Sequence, residues 1–212
     1  SWPKCPVLGS MFIGGFMARE ENIKKLEELG VKDSKKLSDK NRDSMDKSLE
    51  DIGEVFLNEI TADDIDELRE VMSLNEIELK AFAEVIKRTD ADKIILDLPE
   101  PNGERFIRKL KDLLPEKFQD REFIAEHEAD DKYPIVSAAS IAAKSARERH
   151  VKELHKKYGY DFKSGYPHDK PTIEFLEKFV EEKGELPPET RLSWSTSQRI
   201  LKEAGQSDLD DF

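Results

Sequence analysis

The chain has 212 residues, of which 37% are hydrophobic and 39% charged, with a net charge of -12 and a pI of about 5.0. This length suits one domain with a real core, and the acid excess argues against a protein that clamps nucleic acid over a wide basic surface. No apolar run reaches the length of a membrane span, and the single cysteine, Cys5, excludes a disulfide framework and a cysteine-built zinc site. With a start that lacks a signal-peptide pattern, these features predict a cytoplasmic protein.

Short apolar strands alternate with amphipathic helices along the chain. Strands are predicted at 7–16, 54–60, 92–97 and 122–126, and helices at 22–29, 38–51, after Thr61, and at 75–88, 106–114, 134–155, 172–183 and 197–204. This alternation predicts the α/β class. The residues after about Tyr158 are predicted to form a small C-terminal helical segment.

Two aspartates stand where metal ligands often lie. Asp97 ends a buried strand before a Pro-rich turn, and in open α/β sheets ligand sites gather at that edge. Asp130 comes just before the longest predicted helix. Together they supply hard oxygen ligands for Mg²⁺, although Asp97 also fits a turn and Asp130 also fits a helix cap.

A phosphate-binding surface is predicted on the long helix. Ser140, Lys144 and Arg147 follow one another at spacings of four and three residues, so they share one helix face. The loop that contains Ser34 and Lys35 can also hold a phosphate through its hydroxyl, ammonium and backbone N–H groups. The alternatives are a small-residue packing face with ordinary surface cations for the helix, and the approach to a helix N-cap for the loop.

Tyr166 lies between Gly165 and Pro167, which hold it rigidly in a turn. Such a tyrosine can stack on a sugar or base and contact the 2′-OH that distinguishes RNA from DNA. The alternative interpretation is an aromatic residue that packs within the turn.

In this order, these motifs resemble ribonuclease HII, in particular its archaeal form. The resemblance covers nearly the whole chain from Pro6. It is carried by the runs at 6–9, 29–38, 74–78, 125–141, 158–159 and 164–167, by Lys144, Arg147, Arg191 and Trp194, and by the ending Leu209-Asp210-Asp211-Phe212.

The resemblance implies a ribonuclease H-like mixed sheet flanked by helices, with a catalytic domain at 1–158 and a C-terminal helical segment at 159–212. It implies Mg²⁺- or Mn²⁺-dependent cleavage of RNA in RNA/DNA hybrids and incision at ribonucleotides embedded in duplex DNA. It assigns the roles of third and fourth catalytic carboxylate to Asp97 and Asp130. It also assigns phosphate contacts to Ser34, Lys35, Ser140 and Lys144, and the 2′-OH contact to Tyr166.

Before Pro6, the sequence departs from the family pattern. The family has Asp-Glu-Ala-Gly-Arg-Gly there, whereas this sequence has Ser1-Trp2-Pro3-Lys4-Cys5, so two of four carboxylates are absent and we expect impaired activity. The alternatives are a catalytically dead protein that still binds hybrids, and an unrelated α/β domain. The chain is expected to be a monomer without a membrane partner, and its ending resembles tails that contact a sliding clamp.

Overall fold

Helices and short strands alternate in the folded chain. A computed structural model describes residues 5–32, 45, 47–98 and 102–210, with side chains as far as residue 205. The chain divides into two units. The sheet unit comprises Phe12–Glu59 and Leu74–Ala146, and the helical unit comprises Ser1–Met11, Ile60–Ser73 and Arg147–Phe212. Among the described residues, no helix is long and apolar enough to cross a membrane.

The strands and helices are numbered here in chain order. They are β1 (Met11–Met17), α1 (Ile23–Leu29), β2 (Glu54–Ile60), α2 (Ala62–Arg69), α3 (Leu74–Lys87), β3 (Lys93–Asp97), α4 (Gly103–Asp112), β4 (Glu122–Glu126), α5 (Ala129–Lys132), α6 (Pro134–Tyr158), α7 (Lys170–Lys183) and α8 (Ser195–Asp210). The described strands form two pairs, β1 with β2 and β3 with β4.

Asp97 lies at the end of the β3–β4 strand pair, in the sheet unit. The two strands run parallel, and their register sets Asp97 opposite Glu126 at one end. Ile94 and Leu96 alternate with more exposed residues, as the two-residue period of a strand requires. They pack in one cluster with Phe106 and Leu110 of α4, and this burial holds the strand end in place.

Helix α6 packs closely against β1 at a glycine. A Cβ atom on Gly14 would lie 2.3 Å from the carbonyl oxygen of Ala139 and 3.0 Å from the Cβ of Ala143, so only glycine fits without movement. Ala138 and Ile141 of α6 are buried in the adjoining cluster. The small residues of α6 therefore pack the helix within the sheet unit. This agrees with the alternative interpretation of the helix as a small-residue packing face.

The helical unit has a separate core. Leu8 pairs with Thr190 in an isolated antiparallel bridge, and both residues are buried. Leu8 belongs to an apolar cluster that includes Phe162 and Phe175, whose rings stack with centroids 5.2 Å apart. This cluster anchors the N-terminal residues of the chain to α7 and to the C-terminal part of α6.

The predicted α/β class is confirmed, and two strands have the predicted bounds, at 54–60 and 122–126. The strand predicted at 7–16 begins only at Met11, so its predicted start is wrong. The N–H groups of Val7 and Leu8 both donate to the carbonyl of Gly165, and the Gly9 N–H donates to Glu189 within the single bridge of Leu8 to Thr190, so residues 7–9 do not extend β1. The division at residue 158 stays a prediction.

Candidate active site

A hydrogen bond ties Asp97 to the residue that precedes Asp130. Asp97 ends β3 with an exposed side chain, and its Oδ1 accepts from the backbone N–H of Ala129 at 3.0 Å. Ala129 directly precedes Asp130, so the bond holds the Asp97 carboxylate beside the Asp130 segment. Both aspartates lie in the sheet unit.

The segment that carries Asp130 is held by its own side chains. Lys132 Nζ donates to Glu126 at 2.5 Å and the Tyr133 hydroxyl donates to Glu126 at 3.2 Å. Ser137 Oγ donates to the carbonyl oxygen of Asp130. The hydrogen bond from Lys132 lowers the pKa of Glu126, and the same bond raises the pKa of Lys132. Sequence reasoning did not single out this pair.

The chemistry of the donors fits a divalent metal in part. Aspartate oxygens are the hard ligands that Mg²⁺ and Mn²⁺ prefer, and Asp97 and Asp130 provide them at one edge. Within residues 5–32, 45, 47–98 and 102–210, no cluster of three or more His, Cys, Asp or Glu side chains is arranged to hold a metal ion. Among the described residues, Asp97 and Asp130 are thus two candidate ligands and do not form a complete metal site.

Two of the predicted phosphate contacts lie in the sheet unit on α6. Ser140 is half-buried and Lys144 is exposed, and their spacing of four residues puts them on one side of the helix. Ser34 and Lys35, the predicted loop contacts, lie outside the described residues.

Arg147 and Tyr166 come together in the helical unit. The Arg147 Nη1 donates to the carbonyl of Ser10 at 3.1 Å, and its Nη2 donates to the carbonyl of Ser164 at 2.7 Å. The Arg147 guanidinium carbon lies 5.3 Å from the centroid of the Tyr166 ring, a cation–π distance. Burial lowers the pKa of Arg147. Arg147 thus joins two backbone segments beside the tyrosine.

The tyrosine turn is shaped by a glycine. Gly165 has a φ of +78°, and a Cβ atom there would lie 2.7 Å from the carbonyl oxygen of Leu8. Only glycine allows this approach. A turn is present around Tyr166, and the Gly165 carbonyl accepts from the N–H groups of both Val7 and Leu8.

Arg191 is a second buried arginine, which the sequence indicated only through the resemblance. Its side chain is 0% exposed, and its Nε and Nη2 donate to the carbonyl of Gly9 at 3.2 and 3.1 Å. Burial, together with the charge of Arg147, lowers the pKa of Arg191 to about 10, so the guanidinium stays charged at neutral pH. Periodicity carries no signal for such a residue, because a lone arginine after Thr190 looks like a surface residue.

Comparisons with known proteins agree along most of the chain. A family model described as Ribonuclease HII matches residues 4–197. A Ribonuclease HII from Methanothrix thermoacetophila is 45% identical over 198 residues, which cover 93% of this chain and 92% of the relative. The crystal structure of the ribonuclease H2 from Pyrococcus horikoshii has a TM-score of 0.88 at 38% identity, covering 95% of this chain and 94% of that one. The RNase HII of a PCNA:RNase HII complex from Archaeoglobus fulgidus has a TM-score of 0.83 at 34% identity, covering 100% and 97%.

Proposed function

The chain belongs to the ribonuclease HII family of type 2 ribonuclease H endonucleases, and from that premise we propose which residues cleave the RNA strand of RNA/DNA hybrids. We propose that the chain also incises duplex DNA at single embedded ribonucleotides. Asp97 and Asp130 hold Mg²⁺ or Mn²⁺ in this proposal. The observation that supports it is the hydrogen bond from the Ala129 N–H to Asp97, which ties Asp97 to the residue directly before Asp130.

Each carboxylate has a role that follows from its place in the fold. Asp97 lies at the end of a strand fixed by the β3–β4 ladder, and the Ala129 N–H keeps one of its oxygens oriented. Asp130 approaches from the short helix α5, whose position depends on the 126–137 segment. When bound, a pair of divalent ions activates water and neutralises charge on the phosphate and leaving oxygen.

The remaining candidate residues bind the substrate in the proposal. Lys144 and Ser140 donate to backbone phosphates, a role in which Lys acts as a compact point charge. Ser34 and Lys35 do the same from their loop, and Arg147 acts beside Tyr166. The Tyr166 hydroxyl contacts the 2′-OH, and its turn is rigid enough to keep the ring in one place. We also propose that the chain works as a monomer in the cytoplasm.

The central experiment is cleavage of a DNA duplex that contains one ribonucleotide, with Mg²⁺ or Mn²⁺ present. Two proteins are compared: the chain as printed, and a version with Asp-Glu-Ala-Gly-Arg-Gly directly before Pro6. We expect efficient cleavage from the second version and weak cleavage from the first. Binding of a fluorescent hybrid without cleavage by either folded protein would favour the non-catalytic hybrid-binding alternative.

The site assignment is tested in the cleaving version. Asp97→Asn and Asp130→Asn should each lower kcat/KM on the order of 100-fold or more, because an amide is a weaker metal ligand than a carboxylate. Asp131→Asn is the matched control, since it removes the neighbouring charge on the same helix and should change little. An equal loss in all three variants would contradict the assignment of Asp130.

A sliding clamp is the protein partner in the proposal. The Archaeoglobus fulgidus relative was solved in a complex with PCNA, and it resembles this chain over its whole length. Here Leu209 and Asp210 belong to α8, while Asp211 and Phe212 lie outside the described residues. Removal of residues 209–212 should abolish binding to an archaeal clamp measured by surface plasmon resonance. Unchanged binding would assign the contact to another surface.

A further inference from the structure

Glu126 lies at the end of a strand, beside one of the proposed metal ligands. It is the last residue of β4, and the parallel register pairs it with Asp97 at the end of β3. Paired residues of parallel strands project to the same face of a sheet. The two carboxylates therefore leave the same end of the pair on the same side.

The Glu126 side chain bends back to the segment that follows Asp130. Lys132 Nζ lies 2.5 Å from Glu126 Oε2, and the Tyr133 hydroxyl donates to Oε1 at 3.2 Å. Both partners come after Asp130 in the chain, by two and three residues. The bonds therefore close a loop that begins at the strand end, passes through Asp130 and returns to the strand end.

The same loop contains a residue in an unusual backbone conformation. Glu128 has a φ of 55°, in the left-handed region that disfavours residues with a Cβ atom. The N–H of Tyr133 donates to the carbonyl of Ala129 at 2.9 Å, and the Ala129 N–H donates to Asp97. A left-handed non-glycine residue persists where surrounding contacts hold it, and Glu126 supplies two of them.

We propose that Glu126 is a positioning residue, which holds Asp130 at the strand end through Lys132 and Tyr133 before any metal binds. This rests on the proposed function of Asp97 and Asp130 as metal ligands. A ligand that is already in place loses less conformational entropy when the ion arrives, so binding is tighter. The positive charge of Lys132 neutralises Glu126, which makes the pair a tether in preference to a third ligand.

A second ion pair in the same two strands provides the matched control. Lys93 and Glu122 lie 2.8 Å apart at the opposite end of the β3–β4 pair, where the register already sets them opposite one another. The Glu122 side chain is 58% exposed, against 34% for Glu126. The Glu122–Lys93 pair joins residues that the β3–β4 hydrogen bonds already hold together. The Glu126–Lys132 pair, in contrast, ties the segment that contains Asp130 back to the end of β4.

The test compares Glu126→Ala and Lys132→Met with Glu122→Ala, in the full chain. Hydrogen exchange of the Ala129 amide is followed by NMR without metal, and Mn²⁺ affinity is measured by isothermal titration calorimetry. We expect Glu126→Ala to speed Ala129 exchange on the order of tenfold and to weaken Mn²⁺ binding roughly tenfold. Lys132→Met should have the same two effects, whereas Lys132→Arg, which keeps the charge, should leave both values near those of the unchanged chain, and Glu122→Ala should change neither. The melting temperature should stay the same in all four variants.

Two results would overturn the inference. Unchanged Ala129 exchange in Glu126→Ala would show that the segment does not depend on Glu126. A loss of Mn²⁺ binding as complete as in Asp130→Asn, with Ala129 exchange unchanged, would make Glu126 a ligand. Failure of the proposed function looks different: Asp97→Asn and Asp130→Asn would then leave Mn²⁺ affinity as it was, while the exchange comparison still decides whether Glu126 holds the segment.

Discussion

Two regions of the molecule hold candidate functional residues by opposite means. The acidic edge consists of Asp97 and residues 126–137, and it holds Asp130 through largely exposed charged side chains. The arginine region consists of Gly9, Ser10, Arg147, Ser164–Tyr166 and Arg191. There the guanidinium groups of the half-buried Arg147 and the buried Arg191 donate to backbone carbonyls, and Arg147 lies beside Tyr166. One region is held at the surface and the other in the interior.

The two regions differ in how far their charged side chains are exposed to solvent. The Glu126 side chain is 34% exposed, whereas Arg191 is 0% exposed, and water weakens the first interaction but not the second. A buried guanidinium must keep its acceptors, because an unpaired donor or acceptor in the interior is costly. Substitutions in the arginine region should therefore change stability, whereas substitutions at the acidic edge should change metal binding.

The largest effect on stability is expected from Arg191→Met. It leaves the Gly9 carbonyl without two donors and removes the contact with the Trp194 ring at 5.0 Å, which together should destabilise by about 3 kcal/mol. Urea denaturation measures the change. The exposed Arg199→Met, in the same unit, should change the free energy of unfolding by less than about 1 kcal/mol. A more stable Arg191→Met would show that burying the charge outweighs its bonds, and the contrast between the regions would fail.

Arg147→Lys should have the next largest effect. A lysine donates from one nitrogen, so it cannot hold the carbonyls of Ser10 and Ser164 with the fork of a guanidinium. We expect a loss of about 1–2 kcal/mol in urea denaturation and weaker binding of a fluorescent hybrid, because the Tyr166 turn loosens. If binding fell while stability did not, Arg147 would contact the substrate directly, like the residues of the acidic edge.

Two non-glycine residues among those described have a positive φ: Glu128 at 55°, in the acidic edge, and Lys163 at 67°, directly before Ser164 of the arginine region. Glu128→Gly and Lys163→Gly should each stabilise the fold by about 0.5–1 kcal/mol, because glycine relieves the strain but adds freedom to the unfolded chain. Thermal denaturation measures both. Mn²⁺ affinity should fall only in Glu128→Gly, since that segment carries Asp130. Equal effects on affinity would remove the distinction between the regions.

The smallest effect on stability is expected from a fall in pH, which acts through Asp169 beside the Tyr166 turn. The hydroxyl and N–H of Ser164 donate to Asp169, and the hydroxyl bond lowers the pKa of that carboxyl. A lowered folded-state pKa contributes stability above the ordinary value near 3.8, and this is lost as the pH falls through the folded-state pKa. Urea midpoints between pH 5 and pH 2 should therefore fall less steeply in Ser164→Ala than in the unchanged chain. Parallel curves would exclude this carboxyl as the source.

Local patterns predicted much of the fold and the acidic half of the site. The helix predicted after Thr61 is present, and Thr61 and Asp64 form a reciprocal capping box at its start, because both partners lie within one turn. Asp97 and Asp130 could be chosen because strand ends and helix starts are visible in the sequence. The strand predicted from Val7 began four residues late, since the partners of Val7 and Leu8 lie far along the chain, at Gly165.

The sequence by itself determined the α/β class, most strands and helices, and the family, and it singled out the two aspartates as candidates, because apolar periodicity, caps and motifs act over a few residues. Only the tertiary structure decided the roles of Glu126 and Arg191. Glu126 looks like one of many surface acids until the register sets it opposite Asp97. Arg191 looks like a surface cation until folding buries it against Gly9, 182 positions away. Such roles depend on which groups, distant in the sequence, are brought into contact away from water. Only the folded chain brings them into contact.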